Sequence, residues 1–393
     1  MKLAFRKQLS TLAMLCLTVP AAHAASVQVL SATVKDQAIA GATVIVQKNG
    51  EASAGTQTDA QGKAALAAGY ADDASTMVII KKDGYSTLVA KCPCDGLTYA
   101  LSPVMSNLDG LRVVLTWGKT PRDLDSHMSY PGSHVYFVAK KGVDANLDVD
   151  DTDSFGPETI TLSRKHAGET YVYSVHDFTD GTRPGTTDLS SSEAKVFVYV
   201  GQSLVRTYYV PTGKTGNLWT VFRITGEGEF QDINTIRGVT SNPSEIGGQV
   251  ATYNNEATQV VAENQAAADP VQAKAKNLAG ESAYHAGHLD DAIALFQQAT
   301  QLDPSYGQAY GNLGLAYQKA GRSAEAIWAD RKALALASGP NAATTRAGAY
   351  YNIARLYEDA GQFADALTNY QAAKREKANP AYDKAIERVS AHH

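Results

Sequence analysis

Apolar positions along this chain follow two rhythms, with one change-over. Between about residues 26 and 232 they recur every second residue in short runs: Ala42–Gln47, Met77–Lys82, Arg112–Trp117, Tyr171–Val175, Lys195–Val200, Val205–Val210 and Trp219–Ile224. Clusters of Gly, Asp, Asn and Pro separate these β-branched and aromatic runs. Seven such runs predict all-β sandwiches rather than a parallel α/β sheet. From residue 270 a longer period replaces alternation. Gly280 and Gly314, Gly287 and Gly321, and Ala292 and Ala326 each lie 34 residues apart; Gly361 and Ala366 repeat the last two positions after a further 40. Small residues at a fixed period of this length predict stacked helical hairpins. Pro304 should end a helix, because it lacks an N–H and clashes with the preceding turn. Residues 379–393 are expected to add a capping helix.

The residues at those offsets identify the array. Gly280, Gly287, Ala292, Phe296, Ala299 and Pro304 form one set. Tyr310, Leu313, Gly314, Tyr317, Ala326 and Ala333 form the second, and Tyr350, Ile353, Tyr357, Ala366, Tyr370 and Ala373 the third. The block resembles tetratricopeptide repeats, with three units, about the minimum for a self-supporting array. It departs at Asp330, where an aromatic is usual, and at Pro340, two residues late. The resemblance implies a groove lined by the first helix of each hairpin. Its candidate residues are Asn277, Glu281 and Tyr284; Asn312, Leu315 and Gln318; and Tyr351, Asn352 and Arg355. Asn side chains there can fix an extended peptide backbone. Only Lys274 and Arg355 are available for a basic clamp, so C-terminal carboxylate capture is not expected.

The other end reads as a targeting segment. Lys2, Arg6 and Lys7 precede an apolar run from Leu9 to Val19, and Ala22-His23-Ala24 fits a signal-peptidase site. The run is too short for a lasting membrane anchor. Cys16 lacks the small residue that a lipoprotein signal places before its Cys. The mature chain is therefore expected to start at Ala25, to have no membrane span, and to be periplasmic or secreted. Cleavage removes three cations and no anions, moving the formal charge from −5 to −8. That excludes nucleic acid, whose binding rests on many Lys/Arg–phosphate contacts. Cys92 and Cys94 then remain. An oxidising compartment favours their pairing, although an extended i, i+2 separation sits near the upper limit for a disulfide. A labile redox pair, a bond to a partner and a structural clip all remain open.

Residues 25–106 carry Gly41-Ala42-Thr43-Val44, Thr58-Asp59-Ala60-Gln61-Gly62 and Gly84-Tyr85. This block resembles the carboxypeptidase regulatory-like, transthyretin-like sandwich, which implies a non-catalytic module. Residues 107–232 carry Thr116-Trp117 with Asp123-Leu124-Asp125, then Asp148-Val149-Asp150 with Gly156-Pro157-Glu158, then Tyr171 to His176. That block resembles the β domain of exported YfaP-like bacterial proteins. Genes of that family often neighbour a bacterial α2-macroglobulin homologue, so the resemblance implies an envelope protein or peptide as partner. Residues 233–269 are richer in Asn, Ser, Gly and Gln and read as a linker with one helix, Glu256 to Gln265.

The middle block holds the only concentrated candidate chemistry. Asp123, Asp125 and His127 alternate and should share one strand face, with Leu124 and Met128 on the other. Asp148 and Asp150 alternate likewise, and Asp151, Asp153 and Glu158 are expected in a following loop. Oxygen ligands favour Ca²⁺, and the His would admit Zn²⁺ or Mn²⁺. The alternative is a set of solvated loop carboxylates capping turn N–H groups. His176-Asp177 is a weaker candidate for the same cluster. No EF-hand spacing, H-E-x-x-H or G-x-S-x-G is present, and Gly213-Lys214-Thr215 lacks the first Gly of a phosphate loop. The expected protein is a multidomain chain: signal peptide 1–24, two all-β sandwiches, linker, and an all-α repeat solenoid over 270–393. Its expected function is that of a non-enzymatic adaptor. A metal-dependent carbohydrate- or peptide-binding module and a metallohydrolase are the alternatives.

Overall fold

A computed structural model describes residues 25–48, 51–67, 69–240, 242–255 and 268–392. The expected signal peptide and the expected helix Glu256 to Gln265 lie outside the described residues.

Seven strands make the first unit: β1 (Ser26–Ser31), β2 (Thr43–Lys48), β3 (Ala54–Gln57), β4 (Lys63–Ala65), β5 (Thr76–Lys81), β6 (Leu88–Lys91) and β7 (Thr98–Leu101). They form sheets ordered β4-β1-β7 and β3-β2-β5-β6. Alternation does the sorting. Val44 and Val46 of β2 and Val78 and Ile80 of β5 are buried, while Ile45, Met77 and Ile79 are only half-buried. Cys92 and Cys94 are buried and disulfide-bonded. The backbone there is not extended: the Cys92–Pro93 peptide is cis, and the two Cα atoms lie 4.5 Å apart.

Eleven strands make the second unit: β8 (Leu111–Thr116), β9 (Leu124–Tyr130), β10 (Ser133–Val135), β11 (Lys141–Gly142), β12 (Ala145–Val149), β13 (Glu158–Leu162), β14 (Tyr171–Asp177), β15 (Lys195–Val200), β16 (Ser203–Tyr209), β17 (Leu218–Ile224) and β18 (Phe230–Arg237). Their sheets run β10-β9-β14-β17-β18 and β11-β12-β13-β8-β15-β16. Leu115, Ile160, Val196, Tyr173 and Phe222 fill the core between them. The opposite face of the six-stranded sheet is buried too. Val114, Phe197 and Tyr199 join the core of the first sandwich.

The linker expectation needs correction. β18 continues to Arg237, past the expected boundary at 232. After it, a short helix α1 (Ile246–Gln249) lies on the five-stranded sheet, with Ile246 and Val250 packed against Val172 and Leu218. This segment covers part of the outer face of that sheet, and every residue of β9 and β14 is buried.

Three helical hairpins follow: α2 (Pro270–His285) with α3 (Leu289–Leu302), α4 (Gly307–Lys319) with α5 (Ser323–Leu336), and α6 (Ala342–Asp359) with α7 (Phe363–Glu376). A capping helix α8 (Pro380–Ser390) closes the array, as expected. The period now has a cause. Gly287, Gly321 and Gly361 take φ of +83°, +72° and +73° at the turns between paired helices, a conformation that side chains with a Cβ rarely adopt. Gly280 serves differently: a Cβ there would sit 2.7 Å from the Phe296 ring. The solenoid does not stand apart from the sandwiches. One apolar cluster runs from the second sandwich into the helices.

Candidate functional site

The groove and the buried acidic cluster are two places, among the described residues, where the candidate side chains collect. In the groove, part of the expected set is consumed internally. Asn277 is buried, and its Nδ2 donates to Glu281 at 2.8 Å. Asn312 donates to the Asn277 side-chain oxygen at 3.0 Å and to Glu281 at 2.8 Å, and Gln308 reaches the same carboxylate. Neighbouring hairpins are thus tied by a polar ladder. Tyr351 packs on the Tyr370 and Tyr382 rings, and Asn352 hydrogen-bonds buried Asp330. Burial pushes the Asp330 carboxyl well up, at the position where the repeat pattern has an aromatic. What remains open to a ligand is Leu315 and Arg355, both exposed, with half-buried Tyr284 and Gln318. Lys319 stands 4.6 Å from the Tyr284 ring centroid. The other side of the array is occupied: α5 and α6 meet the second sandwich through Arg331, Lys332 and Tyr357.

In the second sandwich the expected alternation holds on β9. Leu124 and Met128 enter the core, while Asp125 and His127, also buried, alternate with them on the other face of the strand. Strand register then adds partners. His176 of β14 stands directly opposite Asp125. One ligand atom each from Asp125, His127 and His176 lie within 4.8 Å of one another, as do those of Asp125, Asp150 and Glu158. Glu158 is not in a loop: it opens β13, is fully buried, and accepts from the Ser126 N–H.

The remaining candidates disperse. Asp148 turns the other way, accepting from Thr161 at 2.5 Å with Arg112 4.0 Å distant. The reason is a register irregularity between Leu147 and Val149 that breaks the alternation joining Asp148 to Asp150. Exposed Asp153 pairs with Arg122 at 2.6 Å, and Asp151 accepts its N–H. These two behave as turn carboxylates.

The collected groups are out of water and short of partners. Asp125 is 2 % exposed, and His127, His176, Glu158 and Asp177 are 0 %. Asp123 Oδ1, Asp125 Oδ2, His127 Nε2, Asp150 Oδ1, Glu158 Oε1, Asp177 Oδ2 and both His176 nitrogens have no hydrogen-bond partner among the described residues. A buried polar atom in that condition costs about 1–3 kcal/mol. Burial, with Asp123, Asp150 and Asp177 adding repulsion, pushes Asp125 up to about 8. Asp123 rises to about 6 and Asp177 to about 7, chiefly by burial. Burial holds His176 down at about 4 and His127 well below its ordinary value. His134, which the sequence reading passed over, completes the arrangement: its Nε2 lies 2.8 Å from His127 Nδ1.

Family profiles described as "TPR repeat" and "Tetratricopeptide repeat" match residues 280–321, and 307–339 with 347–380, respectively. Among curated proteins no match was found. Solved structures similar to the helical part include the N-terminal domain of stress-induced protein-1 from C. elegans, at 21% identity, covering 30% of this chain and 94% of that one, TM-score 0.29. The Yersinia enterocolitica type III secretion chaperone SycD, in complex with a peptide of the translocator YopD, matches at 21% identity over 33% of this chain and 92% of that one, TM-score 0.27. MamA matches at 26% identity over 32% of this chain and 64% of that one, TM-score 0.25.

Proposed function

We propose that this protein is an exported, periplasmic, non-enzymatic adaptor that takes a protein or peptide partner in the groove of its tetratricopeptide repeats. The observation that carries the reading is the division of the array's two sides. One side is spent on the second sandwich, while Leu315 and Arg355 remain exposed on the groove side. An exposed leucine on α4, with Gln318 one turn on and an exposed arginine on α6, suits a mixed apolar and polar segment, with the Asn–Glu ladder holding neighbouring hairpins at fixed spacing. The two sandwiches act as a platform.

Binding tests this reading. Peptides selected from a displayed random library by the purified full-length protein should lose about tenfold in affinity, or about 1.4 kcal/mol, in Leu315→Glu. They should bind unchanged to Thr368→Glu, an exposed position on α7. Equal affinity for both variants would remove the groove from the account. Export has its own check: the intact mass of protein recovered from the envelope should correspond to a chain starting at Ala25.

A further inference from the structure

The geometry points to a site for a divalent first-row transition metal, of which Zn²⁺ is the probe, with three protein ligands, Asp125, His127 and His176, on adjacent strands β9 and β14 of the five-stranded sheet. Three observations converge on it. The donor atoms lie within 4.8 Å of one another; ligands at about 2.0–2.1 Å from a tetrahedral ion stand about 3.3 Å apart, so little movement closes the site. Each of the three side chains is at least nine-tenths buried and presents an atom without a partner. Two imidazoles with one carboxylate form a donor set suited to zinc and its neighbours, whereas Ca²⁺ prefers six or more oxygens.

His134 stands behind His127, its Nε2 2.8 Å from His127 Nδ1. That contact occupies Nδ1 of His127 and leaves Nε2, which has no partner among the described residues, as the atom a metal would take. Asp150 and Glu158 adjoin Asp125 on its other side. Asp148, Asp151 and Asp153 take no part.

The test uses full-length protein without a histidine tag, stripped with chelator and titrated with Zn²⁺, Ca²⁺ and Co²⁺. We expect one equivalent of Zn²⁺, a rise in melting temperature on binding, visible Co²⁺ absorption bands of low-coordinate nitrogen–oxygen ligation, and Ca²⁺ binding at least a hundredfold weaker. His176→Ala and His127→Gln should each weaken Zn²⁺ at least tenfold, and Asp153→Asn should leave it unchanged. Retained stoichiometry in His176→Ala would assign the metal to surface histidines such as His285 and His288 and overturn the proposal, as would tighter Ca²⁺ than Zn²⁺ binding. Should the variants fail to fold, the wild-type Co²⁺ spectrum decides, and absent bands contradict the site. Because the groove is assayed with peptides, failure here leaves the adaptor reading standing.

Discussion

Lys195 shows how single residues carry the contacts between units. It is 3 % exposed, and its Nζ donates to the Pro93 and Glu193 carbonyls at 3.3 and 3.4 Å. Burial pulls its pKa down to about 8, against the opposing attraction of Glu193 and Asp72. In the unfolded chain it keeps the ordinary 10.5. Between those values the unfolded state binds more protons, so stability from this group rises with pH. Urea denaturation of wild type and Lys195→Met at pH 8 and pH 10 should show wild type gaining on the variant by on the order of 1 kcal/mol per pH unit. Parallel pH profiles would contradict this. The buried cluster illustrates what single residues disclose in sequence. Alternation placed Asp125 and His127 on one face without a structure. His176 and Glu158 become neighbours only through strand register and sheet packing, pairings between segments dozens of residues apart. Asp148 was misplaced because a one-residue irregularity in β12 cannot be read from alternating residue types.

Elements were legible in proportion to their regularity. The hairpins followed from the spacing of Gly287, Gly321 and Gly361, because the turn conformation leaves few alternatives. Gly280 permits a sharper test. Helix propensity alone favours Gly280→Ala by about 1 kcal/mol. The Phe296 ring, 2.7 Å from the new Cβ and buried, reverses the sign. Overpacking of that kind costs about 1–3 kcal/mol, so the variant should melt lower than wild type in calorimetry. A higher melting temperature would show that the α2–α3 contact yields. Short strands such as β4 and β11 carry too few residues for a pattern. The segment around α1 was read as linker because its composition is polar; Val239, Ile246 and Val250 reveal, once placed, that it covers part of the sheet's outer face.

At the scale of the whole molecule, the sandwiches and the array share contacts that no local pattern announces. Asp109 is buried, accepts from the Tyr357 hydroxyl, and lies 3.3 Å from Arg331. Arg322 and Glu325 reach Ser203, and Lys332 pairs with Glu229 at 3.0 Å. Removing one partner from a buried pair costs about 3–5 kcal/mol, since the other charge is stranded. Asp109→Ala should therefore lower stability by that order, with hydrogen exchange rising in both β8 and α5–α6. A rise confined to one unit would show that the shared core is not cooperative. This docking is why the groove is the array's available surface. Site-specific photo-crosslinking in intact cells tests the adaptor claim most directly, with the probe placed at Leu315, at Arg355, and at Thr368 as the control. The account predicts one and the same adduct from the two groove positions and none from the control. No adduct from either groove position, or the same adduct from all three, would contradict it.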